Sequence, residues 1–198
     1  MKIAVLGSGM VGNALATKLV NVGHQVMMGS RTSDSKPAQK WQTAAGKGTQ
    51  IGTFADAAAF GELVLNCTNG ANSIGALRQA GEANLRAKIL IDVANPLDMS
   101  QKPPTLTICN TDSLGEQIQR EFLETKVVKA LNTVNCKIMV NPELAPGDHN
   151  LFICGNDTAA KAKVSEFIAR NFGWKRDNWL RLWGVVGSPY FNIRVIHA

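Results

Sequence analysis

Residues 2–31 read KIAVLGSGMVGNALATKLVNVGHQVMMGSR, and this stretch decides the fold. Lys2–Leu6 is a short run of β-forming residues. Asn13–Val22 then carries apolar residues at helical spacing before Gly23 ends the pattern, and His24–Met28 supplies a second apolar run. The sequence therefore predicts a strand, a tight turn, a helix and a second strand, which is the opening unit of an α/β domain.

The turn between the first strand and the helix carries Gly7, Gly9 and Gly12 and fits the pattern G-x-G-x-x-G. Such a pattern is weak alone, but here a strand precedes it and a helix follows it. In this setting Gly7 permits the turn, Gly9 lets a pyrophosphate approach the backbone, and Gly12 lets helix and strand pack closely. The amide groups at the helix start face the anion. The stretch predicts a dinucleotide site.

The end of the second strand indicates which dinucleotide is bound. An Asp or Glu at this point would bind the ribose 2′-hydroxyl of NAD, whereas Arg would accept the 2′-phosphate of NADP. This chain has Ser30, Arg31 and Thr32 there, with Lys36 close behind, and no acid before Asp34. Two hydroxyl donors, a guanidinium fork and an ammonium group favour a 2′-phosphate pocket. The alternative is that Arg31 and Lys36 are solvated loop charges.

Length and charge limit the classes of protein to consider. A chain of 198 residues is long enough for one α/β domain with a small appendage. Its net charge of +6 arises from 21 basic and 15 acidic residues and would attract anionic ligands. The basic residues are scattered without interleaved aromatics, so we expect no nucleic-acid partner.

Cysteine and histidine spacing gives no sign of a metal. Cys67, Cys109, Cys136 and Cys154 form no C-x-x-C pair and sit in or beside apolar runs, where a free cysteine acts as a small hydrophobe. The three histidines are equally dispersed. The chain begins directly with its first strand and has no long apolar segment, so we expect no signal peptide, no membrane contact and a cytoplasmic protein.

The rest of the chain alternates between strand and helix patterns, which favours a Rossmann-like, doubly wound, mainly parallel sheet with a small C-terminal lobe. We expect a dinucleotide-binding domain over residues 1–135. Residues 136–198 would complete the same compact domain and line the site of a second substrate. The predicted strands are 49–53, 63–66, 88–93, 126–131, 149–154 and an edge strand at 174–176; the predicted helices are one through Trp41, then 54–60, 72–80, 111–124 and 157–171; residues 97–107 are a predicted surface loop.

Ligands of open parallel sheets bind beyond the carboxyl ends of the strands. Thr68 and Asn69 follow the predicted fourth strand, where the nicotinamide half of the cofactor would lie. Asn95 and Pro96 follow the next strand, and Asn132 ends the sixth and could close the nicotinamide pocket. For the residues after the fourth and fifth strands, ordinary turn chemistry is an equally good interpretation.

The sequence offers no residues for ordinary acid–base chemistry. It has no Ser/His/Asp set, no paired carboxylates at a loop end, and no lysine or histidine in an evident catalytic context. An alcohol dehydrogenase needs a proton acceptor. Hydride exchange between two redox carriers needs only positioning, so we expect no catalytic side chain.

Five blocks, in order along the chain, resemble the NADPH-dependent reductases of the deazaflavin coenzyme F-420. They are Gly7–Gly12, Gly29–Arg31 with Lys36, Asp92–Pro96, Lys129–Val134 and Leu151–Asp157. The nucleotide fold is also similar to the cytosolic domain of STEAP-type metalloreductases. The resemblance implies direct hydride transfer between NADP(H) and a tricyclic carrier. It also implies cofactor contacts at Ser8, Met10 and Val11, at Ser30, Arg31 and Lys36, and at Thr68 near the nicotinamide ribose.

The C-terminal segment departs from that family. Such reductases usually end in an acidic, proline-containing helix beside the carrier, whereas this chain continues from Asp177 with Trp179, Trp183 and Tyr190. These aromatic side chains could stack on a flat ring. The alternative is that they pack a terminal segment against the sheet or a second subunit, and a tryptophan-bearing tail on so small a chain favours a homodimer.

We therefore predict a NADPH-dependent oxidoreductase whose partner is a small-molecule redox carrier, either coenzyme F-420 or a flavin-like compound. One rival is a reductase of free flavin, quinone or chelated metal with the same cofactor. A rival of another class is a module that binds NADP(H) as a sensor without turnover.

Overall fold

The computed structural model describes residues 1–100, 102–147, 149–175 and 179–181, with side chains through residue 175. The strands are β1 Lys2–Leu6, β2 Gln25–Ser30, β3 Thr49–Thr53, β4 Leu63–Asn66, β5 Ile89–Asp92, β6 Leu97–Asp98, β7 Thr105–Leu106, β8 Lys126–Ala130, β9 Leu151–Cys154 and β10 Trp179–Arg181. The α-helices are α1 Met10–Asn21, α2 Lys36–Ala45, α3 Phe54–Phe60, α4 Ser73–Ala80, α5 Glu82–Leu85, α6 Leu114–Glu121, α7 Cys136–Val140 and α8 Thr158–Phe172; 3₁₀ turns span Gly70–Asn72 and Pro142–Leu144.

The main sheet has the strand order β10-β9-β8-β5-β4-β1-β2-β3. All neighbouring pairs are parallel except β8 and β9, so β9 and β10 run opposite to the other strands. The prediction of a Rossmann-like, mainly parallel α/β sheet is confirmed. The chain runs outward through β2 and β3 on one side of β1 and resumes at β4 on the other. A crevice opens where the winding reverses in this way.

Helices cover both faces of the sheet, as buried parallel strands require. Strand β1 shows this directly, because side chains alternate between the faces of a strand. Ile3 and Val5 belong to one hydrophobic cluster, which includes residues of α1, α2, α7 and α8. Ala4 and Leu6 belong to a second cluster on the other face, with residues of α3, α4 and α6.

Three predicted segments differ from the structure. The predicted helix 111–124 is shorter, because Ser113 caps its start and Phe122 ends it, which leaves α6 as Leu114–Glu121. Residues 97–107 are not an irregular loop throughout, because β6 and β7 pair there as a short antiparallel hairpin. The predicted edge strand at 174–176 is wrong at residues 174 and 175, which are not in a strand, and the described strand at that edge of the sheet is β10, Trp179–Arg181. Trp174 is buried after the left-handed cap at Gly173, and its indole Nε1 donates to the Met139 carbonyl at 2.9 Å. This tertiary contact takes the residue out of any strand pairing.

Candidate functional site

The three glycines of the turn between β1 and α1 differ in what surrounds them. Gly7 has φ +113°, and a Cβ there would lie 2.7 Å from the Cys67 carbonyl oxygen. A Cβ on Gly12 would overlap the Gly7 carbonyl oxygen. A Cβ on Gly9 would meet no atom of the described residues within 4 Å. Packing therefore requires Gly7 and Gly12, whereas Gly9 borders open space.

That open space is a cleft of about 760 Å³ at the carboxyl ends of β1, β2 and β4, within the size range of small-molecule sites. It is bounded by the glycine turn, the segment from β2 into α2, the segment after β4, and one face of α4. The lining residues are Gly7, Ser8, Gly9, Ser30, Arg31, Thr32, Asp34, Ser35, Lys36, Pro37, Phe54, Cys67, Thr68, Asn69, Ala71, Asn72, Gly75, Ala76 and Gln79.

One end of the cleft carries the cationic residues that the sequence singled out. Arg31 and Lys36 are both exposed, and neither forms an ion pair with another described residue. The Ser30 hydroxyl donates to the Thr32 carbonyl at 2.6 Å. The sequence predicts that the Ser30 hydroxyl donates its hydrogen to a ligand. In the structure that hydrogen bond is made to the Thr32 carbonyl instead, and it stabilises the loop that carries Arg31.

The floor of the cleft rests on a row of buried polar side chains. Asn66, Asp92 and Lys129 lie in register on the adjacent strands β4, β5 and β8, and each is at most 2% exposed. Lys129 Nζ donates to Asp92 Oδ2 at 2.8 Å and also to the Ala94 carbonyl. Asn66 Nδ2 donates to Asp92 Oδ1 at 2.8 Å. A buried ion pair persists only when such additional bonds satisfy it.

Thr68 and Ser73 connect this row to the cleft. The Thr68 hydroxyl lies 2.7 Å from Asn66 Oδ1 and 2.7 Å from the Ser73 hydroxyl. Asn66 Nδ2 also donates to Ser73 Oγ at 3.1 Å. Asn69, in contrast, stabilises the 3₁₀ turn that follows it, because its Oδ1 accepts from the Ala71 amide at 3.0 Å. Thr68 is thus tied to the sheet interior, while Asn69 caps the 3₁₀ turn after it.

Other residues predicted for the cofactor lie elsewhere. Met10 and Val11 form the first turn of α1; Met10 is 83% exposed, and Val11 packs partly against the core. Asn95 and Asn132 bind each other, with Asn95 Nδ2 donating to the Asn132 carbonyl at 2.7 Å. Together with Pro96, these two asparagines are not among the residues that line the cleft.

The aromatic residues predicted for the second substrate are mostly beyond what the structure describes. Trp183 and Tyr190 lie outside the described residues. Trp179 is described by its backbone, which pairs with Leu151 at the start of β10. Their contact with a carrier stays a prediction.

Two buried thiols, Cys67 beside the cleft and Cys154 beside the polar row, have raised pKa values. Burial raises the pKa of the Cys67 thiol far above its ordinary value, and the negative charge of Asp92 raises it further. Burial also raises the pKa of Cys154 to about 11, although the charges of Lys129 and Lys161 oppose the shift. Among the described residues, no group of three or more histidine, cysteine or acidic side chains suits a metal ion.

Sequence reasoning missed the Asn66, Asp92 and Lys129 row, although a signal for it exists. Asn66 and Asp92 each end or nearly end an apolar strand segment, and Lys129 interrupts another. Parallel strands align their carboxyl ends, so three polar residues at matching places on neighbouring strands indicate a shared buried network.

The cleft lies where the winding of the sheet reverses, and a glycine turn and a helix N-terminus border it. These features define a Rossmann-like nucleotide-binding protein. The model of the family described as NADP oxidoreductase, coenzyme F420-dependent, matches residues 2–96. A crystal structure of a candidate F420-dependent NADP reductase from Arthrobacter sp. FB24 is 46% identical, with a TM-score of 0.89, over 97% of this chain and 89% of that one. The chain belongs to the F420-dependent NADP oxidoreductase family.

Two more distant proteins share the fold. The metalloreductase STEAP3 of Rattus norvegicus is 30% identical over 174 residues, which are 87% of this chain; the matched region spans 32% of that protein's length. The NADP-bound pyrroline carboxylate reductase of Plasmodium falciparum is 13% identical, with a TM-score of 0.56, over 92% of this chain and 57% of that one. Among the described residues, no helix is long and apolar enough to span a membrane.

Proposed function

We propose that this protein transfers a hydride between NADP(H) and a deazaflavin carrier of the coenzyme F-420 type. In this proposal the 2′-phosphate lies against Arg31 and Lys36, the pyrophosphate crosses Gly9 at the start of α1, and the nicotinamide half lies beside Thr68. The observation that carries the proposal is the single cleft that joins these positions. The helix N-terminus and the exposed cations both favour a phosphorylated ligand.

The distribution of ionisable groups supports a carrier rather than an alcohol as the second substrate. Asp34, Arg31 and Lys36 lie together in the segment after β2, at the proposed phosphate end. Beside Thr68, the ionisable residue that lines the described cleft is Cys67, whose raised pKa keeps the thiol protonated and therefore unable to accept a proton. Hydride transfer to a carrier consumes one hydride from the nicotinamide and one proton from water, so it needs positioning more than proton transfer by a side chain.

Isotope transfer tests the proposal most sharply. NADPH deuterated at the transferable position of the nicotinamide would be mixed with oxidised coenzyme F-420 and the full-length protein. A deazaflavin has carbon where a flavin has its hydride-accepting nitrogen, so the deuterium should remain in the reduced carrier as a C–D bond. We expect loss of the nicotinamide absorbance together with one deuterium in the product. Absence of both would overturn the proposal.

A second candidate is an NADPH-dependent reductase of free flavin, quinone or chelated metal. The similarity to a metalloreductase over most of this chain favours keeping it. FMN, FAD, a soluble quinone and a ferric chelate therefore belong in the same assay, with Gly9→Val as the control for dependence on the cleft. Turnover with one of these and none with F-420 would favour the second candidate. Tight NADPH binding with no turnover of any carrier would indicate a sensor.

A further inference from the structure

The buried row beneath the cleft has a fixed hydrogen-bond direction. The Lys129 ammonium can only donate and the Asp92 carboxylate can only accept, so their 2.8 Å contact has one polarity. Asp92 Oδ1 must then receive a hydrogen from Asn66, which places the Asn66 amide nitrogen toward β5. The Asn66 carbonyl oxygen is consequently left facing Thr68.

The same hydrogen-bond direction extends to the Thr68 hydroxyl, which borders the cleft. The Asn66 carbonyl oxygen can only accept, so the Thr68 hydroxyl donates its one hydrogen to it across 2.7 Å. Ser73 Oγ receives a hydrogen from Asn66 Nδ2, and it can donate its own to Thr68 Oγ1 at 2.7 Å. The Thr68 oxygen therefore has no hydrogen left for a ligand and keeps a lone pair for one.

We propose that Lys129, Asp92, Asn66 and Ser73 are positioning residues that hold the Thr68 hydroxyl as a hydrogen-bond acceptor toward the cleft. Such an acceptor selects a hydrogen-bond donor on the nicotinamide half of NADP(H), either the carboxamide NH₂ or a ribose hydroxyl. This inference rests on the proposed function, because it takes NADP(H) as the ligand.

An ion pair is suited to this task in a way that neutral side chains are not. A row made of amides and hydroxyls can reverse all its hydrogen bonds together, because each member both donates and accepts. In this row the lysine and carboxylate at the far end remove that freedom, together with the Thr68 backbone amide, which donates to Asn66 Oδ1 at 3.3 Å. Burying the pair costs desolvation energy, which the bonds from Asn66, to the Ala94 carbonyl and within the pair offset.

The Thr68 contact is tested with two variants and two cofactor analogues. Thr68→Val removes the hydroxyl and Thr68→Ser keeps it. One analogue carries 3-acetylpyridine, which keeps the carbonyl of the carboxamide but lacks its NH₂; the other lacks a hydroxyl on the nicotinamide ribose. We expect Thr68→Val to weaken NADPH binding about five- to tenfold, as loss of one hydrogen bond does, and Thr68→Ser to retain most of the affinity.

The analogues identify the donor through the coupling between protein variant and analogue. This coupling is the difference between the effect of Thr68→Val on NADPH binding and its effect on analogue binding. If the carboxamide donates, Thr68→Val should no longer weaken binding of the acetylpyridine analogue. If the ribose donates, the deoxy analogue should show that behaviour instead. Equal weakening by Thr68→Val for NADPH and for both analogues would overturn the acceptor role.

Asp92→Asn tests the relay. An amide at position 92 that accepts from Lys129 presents its NH₂ to the Asn66 NH₂. Asn66 cannot turn over to suit it without setting its own NH₂ against the Thr68 backbone amide, which donates to Asn66 Oδ1 at 3.3 Å. The row then cannot satisfy both of its ends, so the Thr68 hydroxyl loses its fixed direction. We expect the coupling between Thr68 and the analogue to fall to near zero. Where the single variant does not fold, the double variant Lys129→Met/Asp92→Leu removes the buried charge with its partner and leaves Asn66 Nδ2 no acceptor on β5, so the coupling should fall there as well.

A matched control is the surface ion pair between Arg78 and Glu121, whose Nε and Oε1 atoms are 2.7 Å apart. Arg78→Met/Glu121→Gln should leave the coupling intact. Coupling that persists in a folded Asp92 variant would overturn the relay while leaving the proposed function standing. Wild-type protein that fails to bind NADPH would instead refute the proposed function.

Discussion

At the residue scale, Gly9 and Gly12 should affect different properties, nucleotide affinity at Gly9 and folding stability at Gly12. Added side-chain atoms at Gly9 would enter open space, whereas at Gly12 they would overlap backbone. We expect Gly9→Val to keep the wild-type free energy of unfolding and to lose affinity for NADPH and NADH alike. Gly12→Ala should instead lower the free energy of unfolding by about 2 kcal/mol or more. Denaturant titration and nucleotide titration measure the two effects, and a Gly9 variant that still binds nucleotide would contradict the proposed site.

Arg31 is the residue that should distinguish the two nicotinamide cofactors. It is exposed, lines the cleft and is free of ion pairs with described residues, so its guanidinium is available to a phosphate. Arg31→Ala should weaken NADPH binding about tenfold or more and leave NADH binding nearly unchanged. Calorimetric titration with both nucleotides measures this. Arg86→Ala, which removes an exposed arginine paired with Glu124, is the control. An equal loss for both nucleotides would contradict the 2′-phosphate assignment.

Sequence spacing brings out the residues whose position depends on backbone geometry. Gly7, Gly9 and the Ser30–Lys36 segment have such spacing, and they line the cleft; their contact with a cofactor stays a prediction. Lys129 was missed, since a lysine near a strand end ordinarily points to solvent and only the register between β5 and β8 reveals its partner. Asn95 and Asn132 were assigned to the cofactor, yet their mutual hydrogen bonds depend on the same unseen packing.

At the scale of elements, the start of α6 depends on a carboxylate. Asp112 accepts from the Ser113 amide at 2.9 Å, the Gln117 side chain at 3.0 Å and Arg120 at 2.8 Å. The hydrogen bond from Arg120 lowers the pKa of Asp112, and its partial burial opposes this. Because the folded pKa lies below the unfolded one, the stabilisation is complete above about pH 4 and is lost as the pH falls through the folded pKa.

We therefore expect the free energy of unfolding to decline below about pH 4, and Asp112→Asn to make that decline shallower. Denaturant unfolding at a series of acidic pH values measures the slope. Glu143→Gln, which changes an exposed carboxylate on the 3₁₀ turn Pro142–Leu144, is the control. An unchanged slope in the Asp112 variant would show that other carboxylates carry the acid sensitivity.

Several elements have the predicted bounds, whereas α6 begins and ends three residues inside the predicted helix 111–124. Strands β3 and β4 and helix α3 have the predicted bounds, and Thr53 and Asp56 form the capping box that starts α3. The short elements were not predicted. Helices α5 and α7 and the β6–β7 hairpin contain too few residues to show a period, and tertiary contacts decide them.

At the scale of the whole molecule, thiol reactivity reports the integrity of both sheet faces. Cys67 and Cys154 are at most 8% exposed, whereas Cys109 and Cys136 are partly exposed. Since the thiolate is the reactive form, burial and a raised pKa should protect the first pair. We expect a chromogenic disulfide to react readily with Cys109 and Cys136 and to reach the other two only on unfolding.

A Cys109→Ser/Cys136→Ser variant isolates the protected pair. Its folded form should react slowly, and its unfolded form should release two equivalents of chromophore. Rapid reaction of the folded variant would mean that Cys67 or Cys154 is open to solvent in the folded protein.

The whole fold could be predicted because strands and helices alternate with few exceptions along the chain. The second-substrate side of the site stays a prediction, since Trp179, Trp183 and Tyr190 follow no periodic pattern in the sequence. The boundary near residue 135 and the homodimer stay predictions. Strands β9 and β10 continue the same sheet beyond that predicted boundary.

The pairing of β1 with β4 also bears on how the molecule is made. Ile3 pairs with Leu63, so the two strands that flank the crevice meet only after the intervening chain has been closed into a loop. Contacts of such sequence separation form slowly compared with the local β1–α1–β2 unit. A chain emerging from the ribosome therefore acquires the glycine turn early and the complete crevice late. NADP(H) in the cell would bind, and so stabilise, only chains in which the crevice is complete. Its protection of these chains from proteases would rise with its concentration.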